Sequence, residues 1–284
     1  MSTRSDGLTA DPKVIFLDVD GTYADQGVVP GPHAAAVRAA RAVGHRVLLC
    51  TGRPKSMLPP RILEAGFDGF VAGAGAYVEV GGRVLADRRF TAELAARTLA
   101  VLDGHGLAYV LEAPDVLHGR PGLDQRLRSL LAGHLRDTGR ATHDGPMDIL
   151  LGLRMSEDLS GATFGKVAYF ASPVPADVLA AQIGQGIEAL PSSSPWMGES
   201  AGELFPAGVN KAIGIELVTA DLGVRREDVI AFGDGLNDLE MLAHAGLGVA
   251  IEGADPRVLA VASRTAAGPH ENGLAAAFAE LGLL

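Results

Sequence analysis

Short clusters in the sequence carry side chains that could do chemistry together. Asp18-Val19-Asp20-Gly21-Thr22 sets two carboxylates two residues apart, followed by a glycine that frees the backbone. Thr51-Gly52-Arg53 offers a hydroxyl, accessible backbone amides and a guanidinium. Lys211 follows Gly208-Val209-Asn210, and Gly233-Asp234-Gly235-Leu236-Asn237-Asp238 adds further carboxylates and an amide. Carboxylates that converge repel one another and resist ionising. A hard divalent cation resolves that conflict, and an oxygen-only set with no histidine in these loops points to Mg²⁺ and away from zinc. A lysine opening a helix, beside free helical N–H groups and the Thr51-Gly52 turn, makes a cradle for an anion, most naturally phosphate. In such surroundings one carboxylate can attack phosphorus to form an aspartyl-phosphate. A second, two residues on, can protonate the leaving oxygen and then deprotonate water.

These clusters lie at the ends of elements able to hold them. Val14-Ile15-Phe16-Leu17 is a continuous apolar run, the pattern of a strand buried on both faces, and Asp18 follows it directly. The spacing predicts a helix over 32–43, with proline near its start and Gly44 past its end, then a strand over 46–50 that ends at Thr51. Further on it predicts a helix over 56–65, a strand over 70–72 and a hairpin over 77–85 turning at Gly81-Gly82. The last quarter alternates again: helix 211–221, strand 229–232, helix 236–245, strand 248–251, helices 256–262 and 274–281. The middle has another texture, with helices over 92–103, 125–138 and 176–184, strands over 108–111 and 166–170, and a loop over 190–195. The expected architecture is α/β: a doubly wound, Rossmann-like parallel-sheet core made of 1–84 and 206–284, interrupted by an inserted α+β cap domain, 85–205. In open parallel sheets, ligands bind at the carboxyl ends of the strands, where these clusters fall.

Composition narrows the function classes. The 284 residues carry 24 Lys+Arg against 34 Asp+Glu, a net charge of −10, which argues against nucleic-acid binding and against an anionic membrane surface. The single cysteine, Cys50, excludes an intramolecular disulfide, suits a cytoplasmic protein, and reads as a small buried hydrophobe. The polar start, 1–12, reads as a frayed tail, and no run is long and apolar enough for a membrane helix.

Taken together, the motifs resemble those of the haloacid dehalogenase superfamily, and more narrowly of its Cof-type subfamily, whose large cap is inserted between the second and third motifs. The resemblance spans nearly the whole chain. It implies that Asp18 is the nucleophile and Asp20 the general acid/base. Thr51, Gly52, Lys211 and Asn237 would bind the substrate phosphate, Lys211 also restraining the nucleophile. Mg²⁺ would be held by Asp18, the backbone carbonyl of Asp20, and Asp234, with Asp238 in support. Arg53 is a possible substrate contact. The implied activity is Mg²⁺-dependent hydrolysis of a small phosphorylated metabolite, such as a sugar phosphate, by a monomer or homodimer. A phosphomutase on the same scaffold is an alternative. A non-catalytic phosphate- or sugar-binding regulator is another, although such a binder has no need of both carboxylates of the first motif.

Departures from the family's pattern are Tyr23 after Asp-Gly-Thr, Gly73-Ala74-Gly75-Ala76 after the third strand, and Glu252-Gly253-Ala254 after a later one. They touch loop geometry and substrate contacts, not the phosphoryl chemistry. A calcium loop is a poor reading of the first motif, because glycine is fourth, Val29 is twelfth and a strand precedes it. In the cap, Glu112, His118, Arg120, Arg126, Lys166, Trp196 and Glu199 are candidate specificity groups. His270 and Asn272 either face the cleft or close the last helix.

Overall fold

A computed structural model describes residues 12–25, 27–138, 146–192 and 200–284. Nearly all of the tail read at 1–12, part of the loop at 190–195, Trp196 and Glu199 lie outside the described residues.

The chain begins with β1 (Val14–Leu17), α1 (Gly31–Ala42), β2 (Arg46–Cys50), α2 (Pro60–Leu63), β3 (Gly69–Ala72), β4 (Tyr77–Val80) and β5 (Arg83–Asp87). A second run follows: α3 (Ala92–Gly104), β6 (Ala108–Glu112), β7 (Leu117–Gly119), α4 (Leu123–Thr138), β8 (Leu153–Met155), β9 (Lys166–Phe170), α5 (Ala176–Ile183), β10 (Ile187–Pro191) and β11 (Gly202–Pro206). The chain closes with α6 (Lys211–Leu222), β12 (Val229–Gly233), α7 (Leu239–His244), β13 (Leu247–Ile251), α8 (Pro256–Val261), β14 (Arg264–Ala266) and α9 (Gly273–Glu280).

The first and last runs share one eight-stranded sheet, ordered β14-β13-β12-β1-β2-β3-β4-β5. It is parallel from β14 to β3, and β4 and β5 add an antiparallel edge. Every residue of β1 is buried, as its unbroken apolar run requires of a central parallel strand. One face packs Val37 of α1 and Phe278 of α9 against Ile15, Leu17 and Phe232. The other packs Ile215 and Val218 of α6 and Leu242 of α7 against Phe16, Leu48 and Ala231. Helices on both faces make this the expected doubly wound sheet.

The middle run builds a separate six-stranded sheet, ordered β10-β11-β9-β6-β7-β8 and antiparallel except between β7 and β8. Leu102 of α3 and Leu179 of α5 cover one face, Leu123 and Leu127 of α4 the other.

The structure departs from the sequence reading in several places. The helix expected over 56–65 is a 3₁₀ turn, Lys55–Met57, followed by the single turn α2. Pro59 holds the chain extended, with ψ 160°, because a residue before proline is disfavoured in the helical region, and Pro60 then opens the helix where no N–H is needed. The helix over 236–245 likewise starts as a 3₁₀ turn, Leu236–Asp238, before α7. A boundary at 84 cuts β5, which stays in the first sheet to Asp87, and β11 keeps residue 206 in the second sheet. Among the described residues no helix is long and apolar enough to cross a membrane.

Candidate active site

The strand order reverses at β1, which pairs with β2 on one side and β12 on the other, so Leu17 lies opposite both Leu49 and Phe232. That reversal opens a crevice at the carboxyl ends, and the residues just past these strands are Asp18, Thr51 and Asp234. The Asp18 amide donates to the Phe232 carbonyl at 2.9 Å, which seats the carboxylate beside the loop that runs from Gly233 to Asp238. Thr51 is braced from β3: its amide donates to the Val71 carbonyl at 2.8 Å, and its carbonyl accepts from Ala74 at 3.0 Å. The unusual Gly73-Ala74-Gly75 stretch is the turn that makes this brace.

Lys211 enters from α6. The Asn210 side chain caps that helix, accepting from the Ile213 amide at 3.0 Å, and so fixes the backbone from which Lys211 projects. Lys211 is fully buried, and Nζ donates to Asp18 Oδ1 at 2.6 Å and to Asp238 Oδ1 at 2.5 Å. The other Asp238 oxygen accepts from the amides of Asp234 (3.0 Å) and Gly235 (2.9 Å). Thr22 Oγ1 donates to Asp234 Oδ1 at 2.7 Å. Gly21 has φ +90°, and a Cβ there would stand 2.3 Å from Asp234 Oδ2, so only glycine lets the two loops meet. At Gly52 a Cβ would stand 3.1 Å from Asn237 Nδ2, which sets that amide against the Thr51-Gly52 turn.

One lysine thus faces three carboxylates, Asp18, Asp234 and Asp238, whose oxygens cluster within 4.8 Å of one another. Burial, and then the neighbouring Asp238 and Asp234 charges, push the Asp18 carboxyl well above its ordinary range despite Lys211. Burial and Asp238 raise Asp234 to about 7. Burial opposes the charge on Lys211, but Asp18 and Asp238 outweigh it and hold the ammonium protonated. Three carboxylates facing one ammonium thus resist ionising together in a buried, all-oxygen environment, and a hard divalent cation, which favours their charged forms, fits it. Both Asp238 oxygens are already engaged, so Asp238 orients the cluster, while Asp18 and Asp234 are the carboxylates disposed to ligate directly.

The Asp20 side chain stands apart from this cluster. Arg53 grips it with two bonds, Nε to Oδ2 at 2.6 Å and Nη2 to Oδ1 at 2.7 Å. The same guanidinium donates through Nη1 to Asp148 Oδ2 at 2.7 Å, and Asp148, only 3% exposed, also takes Arg61 Nη2 at 2.6 Å. Arg53 thus joins Asp20 to a turn of the middle run. Sequence reasoning missed Asp148 and Arg61. A lone aspartate in Pro146–Leu150 carries no local motif, and its partners are distant in the chain.

The sequence profile of haloacid dehalogenase-like hydrolases matches residues 15–278. The chain belongs to that family. It is 27% identical to YkrA of Bacillus subtilis over 281 residues, 96% of this chain and 99% of that protein. It is 47% identical to the 5-amino-6-(5-phospho-D-ribitylamino)uracil phosphatase YitU of Bacillus subtilis over 73 residues, 26% of this chain and 27% of that one. Its fold matches that of the subclass IIB sugar phosphatase BT4131 with a TM-score of 0.78 at 22% identity, covering 96% of this chain and all of the other (100%).

Other candidates fall outside the active site of this haloacid dehalogenase-like hydrolase. Tyr23 is fully buried, its ring edge-on to Phe67 at 5.4 Å, so this departure is absorbed by the core. Cys50 is buried and its thiol is pushed up by burial, as an inert core residue. Arg120 pairs with Asp103, and Arg126 reaches the Gly106 carbonyl at 3.4 Å, both away from the carboxylates. His270 is exposed beside Glu271, and Asn272, at φ +57°, leads into α9. Lys166 and Glu112 do reach the site. Lys166 Nζ donates to the Gly52 carbonyl at 2.7 Å and lies 3.1 Å from Glu112 Oε2. Glu203, which the sequence did not flag, joins them at 2.8 Å.

Proposed function

We propose that the chain is a Mg²⁺-dependent phosphatase of a small phosphorylated metabolite, working through an aspartyl-phosphate on Asp18. The observation that carries this reading is Lys211, buried and shared between Asp18 and Asp238 at the reversal of the strand order. Lys211 anchors Oδ1 of Asp18, turning its other oxygen to a phosphoryl group held by Thr51, the Gly52 amide and Asn237. Bound between Asp18, Asp234 and the Asp20 carbonyl, Mg²⁺ would offset charge on the transferring phosphoryl oxygens. Asp20, its plane set by Arg53, gives a proton to the leaving alkoxide and then takes one from the water that hydrolyses the acyl phosphate. Cleavage is complete when that water's oxygen is on phosphorus and Asp18 is again a carboxylate. The middle run, 88–206, covers the site as an inserted cap that excludes bulk water and meets the leaving group. Two names among the relatives, an amino-ribityl-uracil phosphatase and a sugar phosphatase, accord with a phosphomonoester.

The test is phosphate release from a panel of monophosphates, with Mg²⁺ and with EDTA, wild type beside Asp18→Asn. The expected outcome is Mg²⁺-dependent release that the variant loses while keeping its circular-dichroism spectrum. Comparable release from Asp18→Asn would overturn the mechanism. Conversion of one isomer to another without free phosphate would make the protein a mutase.

A further inference from the structure

One face of the second sheet ends in a buried group of charges. Glu112 on β6 lies directly opposite Lys166 on β9, and Glu203 on β11 lies opposite Ala168, two residues along the same face. The side chains of Glu112, Lys166 and Glu203 are only 3%, 4% and 10% exposed. Lys166 spends its ammonium on Glu203 Oε1 and the Gly52 carbonyl. That leaves carboxylate capacity over. Glu203 Oε2 is buried without a hydrogen-bond partner, and Glu112 Oε2 lies near the ammonium but off any hydrogen-bond direction.

Buried carboxylate oxygens without donors are costly, since they have given up water and gained nothing in return. They mark a place where a donor belongs. The place is defined by Gly52, where a Cβ would stand 3.9 Å from both Glu203 Oε1 and Lys166 Nζ, and 3.1 Å from Asn237 Nδ2. The group therefore borders, from the second sheet, the loop proposed to hold the phosphate. Its charge is one positive against two negative. An alcohol part with hydroxyl or ammonium hydrogens can satisfy the spare oxygens. One carrying a carboxylate or a second phosphate would meet net repulsion in a poorly screened site.

We propose that Glu112, Lys166 and Glu203 select the leaving group: they accept hydrogen bonds from hydroxyl or ammonium groups on the alcohol part and reject alcohols that carry a second anion. This rests on the phosphatase reading, and it narrows the substrate to esters of polyols or amino alcohols. A purely structural tether between β9 and the Gly52 loop would hold the loop in place without distinguishing one alcohol from another.

The experiment uses turnover of p-nitrophenyl phosphate with Mg²⁺ at pH 8 as reporter, and matched esters as competitors. Glycerol 3-phosphate and 3-phosphoglycerate differ only in a hydroxymethyl against a carboxylate. 2-Hydroxyethyl phosphate, phosphoethanolamine and 2-phosphoglycolate give a shorter series with the same contrast. In wild type the neutral and ammonium esters are expected to inhibit at concentrations at least about tenfold lower than their carboxylate partners. Glu203→Gln and Glu112→Gln should each narrow that ratio by about tenfold, whatever they do to the overall rate. Equal inhibition by both members of each pair in wild type overturns the proposal without recourse to any variant, and so does a ratio that neither glutamine variant moves. Failure of wild type to hydrolyse the reporter is a different result, which removes the phosphatase reading and the selector with it.

Discussion

With no solvent-exposed surface, Lys211 keeps its charge because Asp18 and Asp238 both lie within hydrogen-bonding distance. Removing one partner of a buried ion pair strands the other charge, at a cost of about 3–5 kcal/mol. Lys211→Met should therefore lower both activity and stability: kcat by about 10²–10³, as for loss of one preorganised donor, and Tm by many degrees. Rates on p-nitrophenyl phosphate and thermal melts at pH 8 check the two effects separately. A variant that melts like wild type would mean that the lysine does not neutralise the cluster. Much of this was legible in the sequence. Asp18, Asp20, Thr51, Lys211 and Asp234 each sit at the end of a strand or the start of a helix, where local pattern marks them. Asp148 and Glu203 were not legible, because what makes them matter is a partner brought near only by the tertiary fold.

Two elements do the positioning. Helix α6 is held at its start by the Asn210 cap, and Asn210→Ala should cost about 1 kcal/mol while loosening the base of Lys211. The turn Pro146–Leu150 works from the other side. Its Asp148 carboxylate pairs with Arg53 and Arg61, so the guanidinium that grips Asp20 is itself held from the second sheet's unit. Asp148→Asn removes the negative charge between two cations and replaces one acceptor oxygen with an amide donor. The expected result is a fall in kcat of about tenfold or more, because small misplacements of the proposed acid/base, Asp20, are expensive. Substrate affinity should change less, so kcat and KM measured separately test whether the turn acts through Asp20. Elements were read best where apolar periodicity was strong, as in β1, β2 and α6. The helix expected over 56–65 is broken because Pro60 keeps Pro59 extended, a local constraint that overrides the apolar spacing.

At the scale of the whole molecule, the buried charge group of the second sheet couples stability to pH. Burial first, and then the Glu203 charge, raise the Glu112 carboxyl to about 7 against the opposing Lys166. The folded state thus holds the proton more tightly than the unfolded chain, whose carboxyl titrates near its ordinary 4.5. Stability from this group is present below 4.5 and is lost as pH rises toward 7, by at most about 1.4 kcal/mol per pH unit. Glu112→Gln cannot titrate, so its Tm relative to wild type should rise between pH 5 and 8. Melts of both proteins across that range decide it, and a constant difference would place the proton elsewhere.

The sheet order has a further consequence for the order of synthesis. Central β1 has Val14 opposite Val229, and its aspartate waits for a lysine at position 211, whereas every strand of the second sheet lies between Ala108 and Pro206. On the ribosome the N-terminal strands emerge first but cannot close their sheet until nearly the last strand has been made. The later-emerging insert can finish folding before them. A nascent chain halted once residue 206 has cleared the ribosome should therefore carry a protease-resistant insert joined to an N-terminal segment with apolar β1 and β2 still uncovered, the state most exposed to aggregation.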